Sequence, residues 1–180
     1  SILQKQIELK TFKNAYLFAG PSGCGKTTIA RIFALELNKY QLPNKTWASS
    51  NPIEIDGASN NGVENVRNII SGATERSLDG KYKVFIIDEA HGLSNAAWQA
   101  FLKCIEEPPE YTIFIFCTTD PQKIPATIFN RVMRFNFSRI APELIEKRLV
   151  NICEQEGYTN YQEACEYIAR TGNGGMRDDL

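Results

Sequence analysis

The octapeptide Gly20-Pro21-Ser22-Gly23-Cys24-Gly25-Lys26-Thr27 has two glycines separated by four residues, then a lysine and a hydroxyl. The chemistry open to that spacing is phosphate binding. Glycines let backbone N–H groups turn inward around phosphate oxygens, and a helix opening at the loop adds its positive end. Lys26 would reach the β- and γ-phosphates, the Thr27 hydroxyl would ligate Mg2+, and Thr28 completes the nucleotide-binding set. A chance match in a glycine-rich turn is the alternative, and the strand-turn-helix setting argues against it. "VFIIDEA" supplies the acids: Asp88 could hold Mg2+ through its water shell, and Glu89 could polarise an attacking water as general base. A plain helix cap is the competing reading of such strand-end acids. His91, the one histidine, could orient a catalytic group or sense a phosphate; packing or capping is the simpler reading, and no chemistry is assigned to it.

The elements that must carry these residues follow from pattern. "NAYLFAG", "IEID", "KVFIIDE", "YTIFIFCTT" and "MRFNF" read as strands. Between them run "TTIARIFALELNKY", with Ile29, Ile32, Phe33 and Leu37 on one face, and "NNGVENVRNIISGA", opening on asparagine caps. "SNAAWQAFLKCIEE" follows, with a buried stripe of Ala97, Trp98, Phe101, Leu102 and Ile105. "QLPNKTWASSNP" reads as a loop and "SLDGKY" as a turn. Strands alternating with helices imply an α/β fold, a mainly parallel five-stranded sheet covered by helices. From Ala141 only helices follow, "PELIEKRLVNICEQEG" and "YQEACEYIARTG". The expected domains are therefore a core over 1–140 and a partial helical lid over 141–180, the latter small for an independent core.

Composition narrows the class. The 180 residues are 43% hydrophobic, enough for a core, and carry a formal net charge of −1. That charge argues against gripping nucleic acid by bulk attraction alone. "SILQKQIELK" does not read as a signal peptide, and no apolar run reads as a membrane span, so the cytoplasm is expected. Five cysteines without CxxC spacing argue against a disulfide framework and a zinc cluster.

The segments "NAYLFAGPSGCGKTTIARIFA", "IEIDGASNNGVENVR", "KYKVFIIDEAHGLSNAAWQAFLKCIEEPPE", "CTTDPQKIPATIFNR" and "GGMRDDL" together resemble the bacterial DNA polymerase III gamma/tau subunit family. These are AAA+ ATPases of replicative sliding-clamp loaders. The resemblance runs from about Lys13 to Leu180. It implies a Walker A loop at Lys26 and Thr27, Walker B acids at Asp88 and Glu89, and a sensor at Thr119. It further implies an arginine finger at Arg131 serving a neighbouring subunit, and a second sensor at Arg177. ATP and Mg2+ are the implied cofactors; other clamp-loader subunits, the sliding clamp and primed DNA are the implied partners. Helices following segments such as "ASNNGV" would track the DNA backbone in that family; an ordinary capped helix is the alternative.

Two features depart from the family. Its four-cysteine zinc module is replaced by the cysteine-free "NKYQLPNKTWASSNP", so no zinc is expected. Its Ser-Arg-Cys triplet is here Asn130-Arg131-Val132, which leaves the arginine with different supports. A preceding adenine-enclosing segment and a collar domain, both implied by the family, would lie outside this chain. Competing functions are an ATP-binding scaffold with little turnover alone, and another AAA+ machine such as a branch-migration helicase or a helicase loader.

Overall fold

A computed structural model describes residues 2–41, 52–75, 82–172 and 174–175. Residues 42–51 of the expected loop and all but Tyr82 of the expected "SLDGKY" turn lie outside them, as does Arg177. The chain divides into two compact units, Ser1–Ala19 with Thr27–Phe135, and Gly20–Lys26 with Asn136–Leu180.

The elements run α1 (Ile2–Glu8), β1 (Ala15–Ala19), α2 (Lys26–Gln41), β2 (Ile53–Asp56), α3 (Val63–Thr74), β3 (Lys83–Asp88), α4 (Asn95–Glu106), β4 (Thr112–Thr118), α5 (Ala126–Phe129), β5 (Met133–Asn136), α6 (Pro142–Glu156) and α7 (Gln162–Thr171). The five strands form one sheet in the order β2-β3-β4-β1-β5. β1 pairs parallel with β4, β4 with β3 and β3 with β2. The parallel, helix-covered sheet expected from the alternating pattern is the one observed.

Every residue of β1 and of β4 is buried, as central strands covered on both faces require. On one face, Phe114 and Phe116 of β4 meet Trp98 and Phe101 of α4, with Val66 and Ala73 of α3 in the same core. On the other, Tyr16 of β1 packs edge-on against Phe33 of α2 at 5.1 Å and stacks with Phe135 of β5 at 6.2 Å. Ser94 starts α4 by accepting a hydrogen bond from Ala97 N at 3.2 Å, which satisfies one of the helix's free N–H groups.

Four local expectations need correction. The α4 stripe is Ala97, Trp98, Phe101, Cys104 and Ile105; Leu102 is only partly buried. The buried face of α2 is Ala30, Phe33, Ala34 and Leu37, while Ile29 and Ile32 are 36% and 50% exposed. Small alanines allow α2 to approach the sheet, and Ile29 and Ile32 turn instead toward a groove lined also by Leu3 and Ile7 of α1. α3 has Gly62, which carries no side chain, at its N-cap and so has no side-chain cap; Asn60 lies two residues earlier, its Nδ2 donating to Asp56 O at 3.0 Å. Finally, α1 and α5 add helices where the sequence showed none.

In the other unit, Ile145 and Leu149 of α6 meet Cys165 and Ala169 of α7 in a small apolar core. α6 ends at Gly157, which has φ 76° and whose N–H bonds back to Cys153 O and Glu154 O. Glycine adopts this left-handed cap without a Cβ penalty.

Candidate nucleotide site

The strand register carries the candidate residues to one edge of the sheet. Ala19, the last residue of β1, pairs with Thr118, the last of β4, and Asp56 of β2 pairs with Asp88 of β3. The chain segments leaving these strands thus start from their carboxyl ends, where ligands bind in open parallel sheets.

Gly20–Gly25 runs from the end of β1 to the start of α2. A Cβ on Gly20 would lie 2.3 Å from Phe137 O, closer than any side chain can sit. Gly23 and Gly25 have φ 74° and 89°, conformations that glycine adopts without strain. Ser22 is exposed and Cys24 buried, the Cys24 thiol donating to Pro21 O at 2.9 Å. Lys26 is 7% exposed, and its ammonium donates to Gly20 O at 2.9 Å and Pro21 O at 2.7 Å. The lysine charge is therefore held against the loop's own carbonyl dipoles. Gly20→Ala forces the loop to move, and a fluorescent ATP analogue should bind it at least tenfold more weakly; unchanged affinity would show that the close approach to Phe137 is dispensable.

The acids form a second group. Thr27 Oγ1 donates to Asp88 Oδ2 at 2.9 Å, and Asp88 Oδ1 accepts from Glu89 N at 3.0 Å. Two hard oxygen donors side by side are the ligand type Mg2+ prefers, so these residues fit that ion. Among the described residues, no three His, Cys, Asp or Glu side chains gather as metal ligands. A cation here would therefore depend on Thr27, Asp88, water and the substrate's own oxygens. Glu89 sits at φ 45°, ψ 43°, a left-handed conformation that costs a non-glycine residue about 1–2 kcal/mol; strain of this kind collects at functional sites. Its Oε2 accepts from Thr119 Oγ1 at 3.1 Å and lies 3.2 Å from His91 Nδ1.

The structure thus brings Thr27 to Asp88, and Thr119 to Glu89, across long stretches of chain. Thr28 is exposed on the first turn of α2. Arg131 belongs to a different contact group: Nη1 donates to Thr127 O at 2.8 Å and Nη2 lies 2.6 Å from Glu106 Oε1. For His91 the sequence left open the orienting of a catalytic group and favoured packing or capping; the structure sets its Nδ1 3.2 Å from Glu89 Oε2, and the one signal for that was the histidine's place two residues after the acid.

The family model described as "DNA polymerase III, delta subunit" matches residues 1–141. The chain belongs to this family. Among sequence relatives, it is 44% identical over 191 residues to the DNA polymerase III subunit tau of Bacillus subtilis, covering 99% of this chain and 34% of that protein. It is 35% identical over 196 residues to the subunit tau of Escherichia coli, covering 99% and 30%. The expected relationship to gamma/tau subunits therefore holds. The chain spans about a third of the length of these curated relatives.

Among solved structures, the RuvB Holliday junction branch migration motor of Thermotoga maritima superposes with a TM-score of 0.76 at 20% identity, covering 99% of this chain and 58% of that one. At that identity the likeness concerns the fold, an AAA+-type core followed by helices. Among the described residues, no helix is long and apolar enough to cross a membrane.

The segment that follows β2 is a compact turn. Asp56 accepts from Ala58 N at 3.0 Å, Ser59 N at 3.3 Å and the Ser59 hydroxyl. The Ser59 hydroxyl, helped by the Ala58 amide, holds the Asp56 carboxyl below its usual range.

Proposed function

We propose that this chain is the ATP-hydrolysing part of a DNA clamp-loader subunit, which couples ATP binding and hydrolysis to loading a sliding clamp on primed DNA. The observation that carries the reading is the pair of contacts Thr27–Asp88 and Thr119–Glu89. They set a metal-binding pair beside a held carboxylate at the strand ends. Gly20, Pro21, Ser22, Gly23, Cys24, Gly25, Lys26, Thr27 and Thr28 bind the nucleotide in this reading, with the Lys26 ammonium leaving its carbonyls for the β- and γ-phosphates. Thr27 and Asp88 hold Mg2+, which when bound neutralises charge on the phosphate oxygens. Glu89 accepts the proton of the attacking water, and Thr119 fixes one oxygen of that carboxylate. In this reading Arg177 is a second sensor of the nucleotide, and the chain comprises a core over 1–140 and a helical lid over 141–180.

Arg131 completes the site of a neighbouring subunit, stabilising charge that develops in the transition state. Glu106 presents its guanidinium meanwhile. Because Arg131 stands outside this chain's own acid group, a second reading has support: an ATP-binding scaffold that turns over little until assembled. For DNA, the start of α3 has no side-chain cap, and its first-turn N–H groups suit backbone phosphates.

Steady-state ATP hydrolysis with partner subunits, with and without primed DNA and clamp, tests the proposal. DNA and clamp should accelerate turnover, and Arg131→Ala should remove that stimulation with folding intact. Turnover indifferent to DNA, clamp and Arg131→Ala overturns the clamp-loader motor reading.

A further inference from the structure

We propose that His91 is a positioning residue for Glu89, holding one oxygen of its carboxylate through Nδ1–H. The inference rests on the reading of Glu89 as the base of ATP hydrolysis. His91 Nδ1 lies 3.2 Å from Glu89 Oε2 and 3.2 Å from Thr118 Oγ1. Thr119 Oγ1 donates to the same Glu89 oxygen at 3.1 Å, and Thr118 Oγ1 accepts from Asp120 N at 3.1 Å. A ring that merely packed would have no reason to set one nitrogen between a carboxylate and a hydroxyl.

The charges choose the tautomer. A lone pair on Nδ1 would face the carboxylate oxygen and repel it, whereas a proton there makes a charge-assisted hydrogen bond. Oε2 then carries two donors. Among the described residues, no hydrogen bond reaches Oε1, which is the oxygen available to a water. The backbone fixes the ring's origin: His91 lies on a 3-10 turn after the left-handed Glu89, with Ala90 fully buried and Gly92 N bonded to Glu89 O at 2.8 Å. His91 and the two threonines of the β4 end thus confine a carboxylate that is otherwise 43% exposed. An exposed glutamate samples several rotamers, and a base aimed only part of the time loses rate in proportion.

Substitution tests the geometry because asparagine places a donor near the Nδ1 position, glutamine near Nε2, and phenylalanine nowhere. In the assembled, DNA-stimulated ATPase, His91→Phe should lower kcat at least tenfold while affinity for a fluorescent ATP analogue stays within twofold. His91→Asn should recover more of the rate than His91→Gln. His91→Phe turning over within twofold of wild type, while Glu89→Gln is inactive, overturns the proposal. Glu89→Gln retaining full turnover overturns the underlying base reading, and the proposal with it.

A second readout needs no activity. The chain has one histidine, so the nitrogen-15 spectrum of its imidazole is a single spin system. At a pH where the ring is neutral it should show Nδ1 protonated, and Glu89→Gln should shift both nitrogens. A neutral ring protonated at Nε2 alone overturns the proposal directly, whatever the turnover.

Discussion

Lys26→Ala should lower DNA-stimulated ATP turnover about a thousandfold and leave the fold in place. Lys26 is almost wholly buried, yet its ammonium is held by two carbonyls at 2.7 and 2.9 Å. Carbonyl dipoles are weaker partners than a triphosphate's oxygens, so the ammonium gains by moving to a bound nucleotide. Removing one preorganised donor from developing transition-state charge costs about a hundredfold to a thousandfold in kcat. A charge-assisted hydrogen bond lost from the ground state weakens binding by about 1.5–3 kcal/mol. Little native packing is lost, since the carbonyls of Gly20 and Pro21 can turn to water once the side chain is gone. Lys26→Met, which keeps the stem without the charge, should fail equally. Thermal melts and turnover measured on the same samples check this; loss of turnover smaller than tenfold in both variants would remove Lys26 from the phosphate site.

How much of this arrangement was legible in the sequence differs from residue to residue for physical reasons. The loop Gly20–Thr27 was readable because its function depends on local spacing, and the observed φ values of Gly23 and Gly25 are what that spacing demands. β1, β3 and β4 were readable because strands buried on both faces have nearly continuous apolar runs, whereas the partly exposed edge strands β2 and β5 were marked by short alternating segments. Periodicity on α2, however, groups Ile29 and Ile32 with Phe33 and Leu37 without saying where the sheet ends and the α1 groove begins. The helix α1 itself depends on contacts far along the chain, with Gln6 meeting Met133 Sδ at 2.9 Å and Tyr16. Asn60 and Asn61 do not cap α3 because the turn after β2 puts Gly62 at the cap position. The pairing of Arg131 with Glu106, and of His91 with Glu89, depends on side-chain direction at turns, where no repeat constrains the reading.

The aromatic core should decide how firmly the acids are held, and Phe101→Ala probes it. Phe101 is fully buried, edge-on to Phe114 at 5.7 Å and to Phe116 at 5.3 Å. Trp98 closes the cluster at 5.1 Å from Phe116. Truncating a buried phenylalanine to alanine costs about 3–5 kcal/mol, because the lost transfer energy is joined by an incompletely collapsed cavity. Here β4, buried along its whole length, cannot follow the missing ring without disturbing its other face, so a cost toward the upper end is expected. That is a large share of the stability of an ordinary domain, and urea unfolding should show a clearly lower midpoint. Leu102→Ala, on a partly buried neighbour of the same helix, should cost about 2 kcal/mol less. β4 leads from Phe116 through Cys117 to Thr118, and then to Thr119. Loosening it should therefore also free the Thr119–Glu89 contact, so turnover per folded molecule should fall more in Phe101→Ala than in Leu102→Ala. Equal midpoints for the two variants would show that the aromatic cluster is not what secures the β4 end on which Thr118 and Thr119 stand.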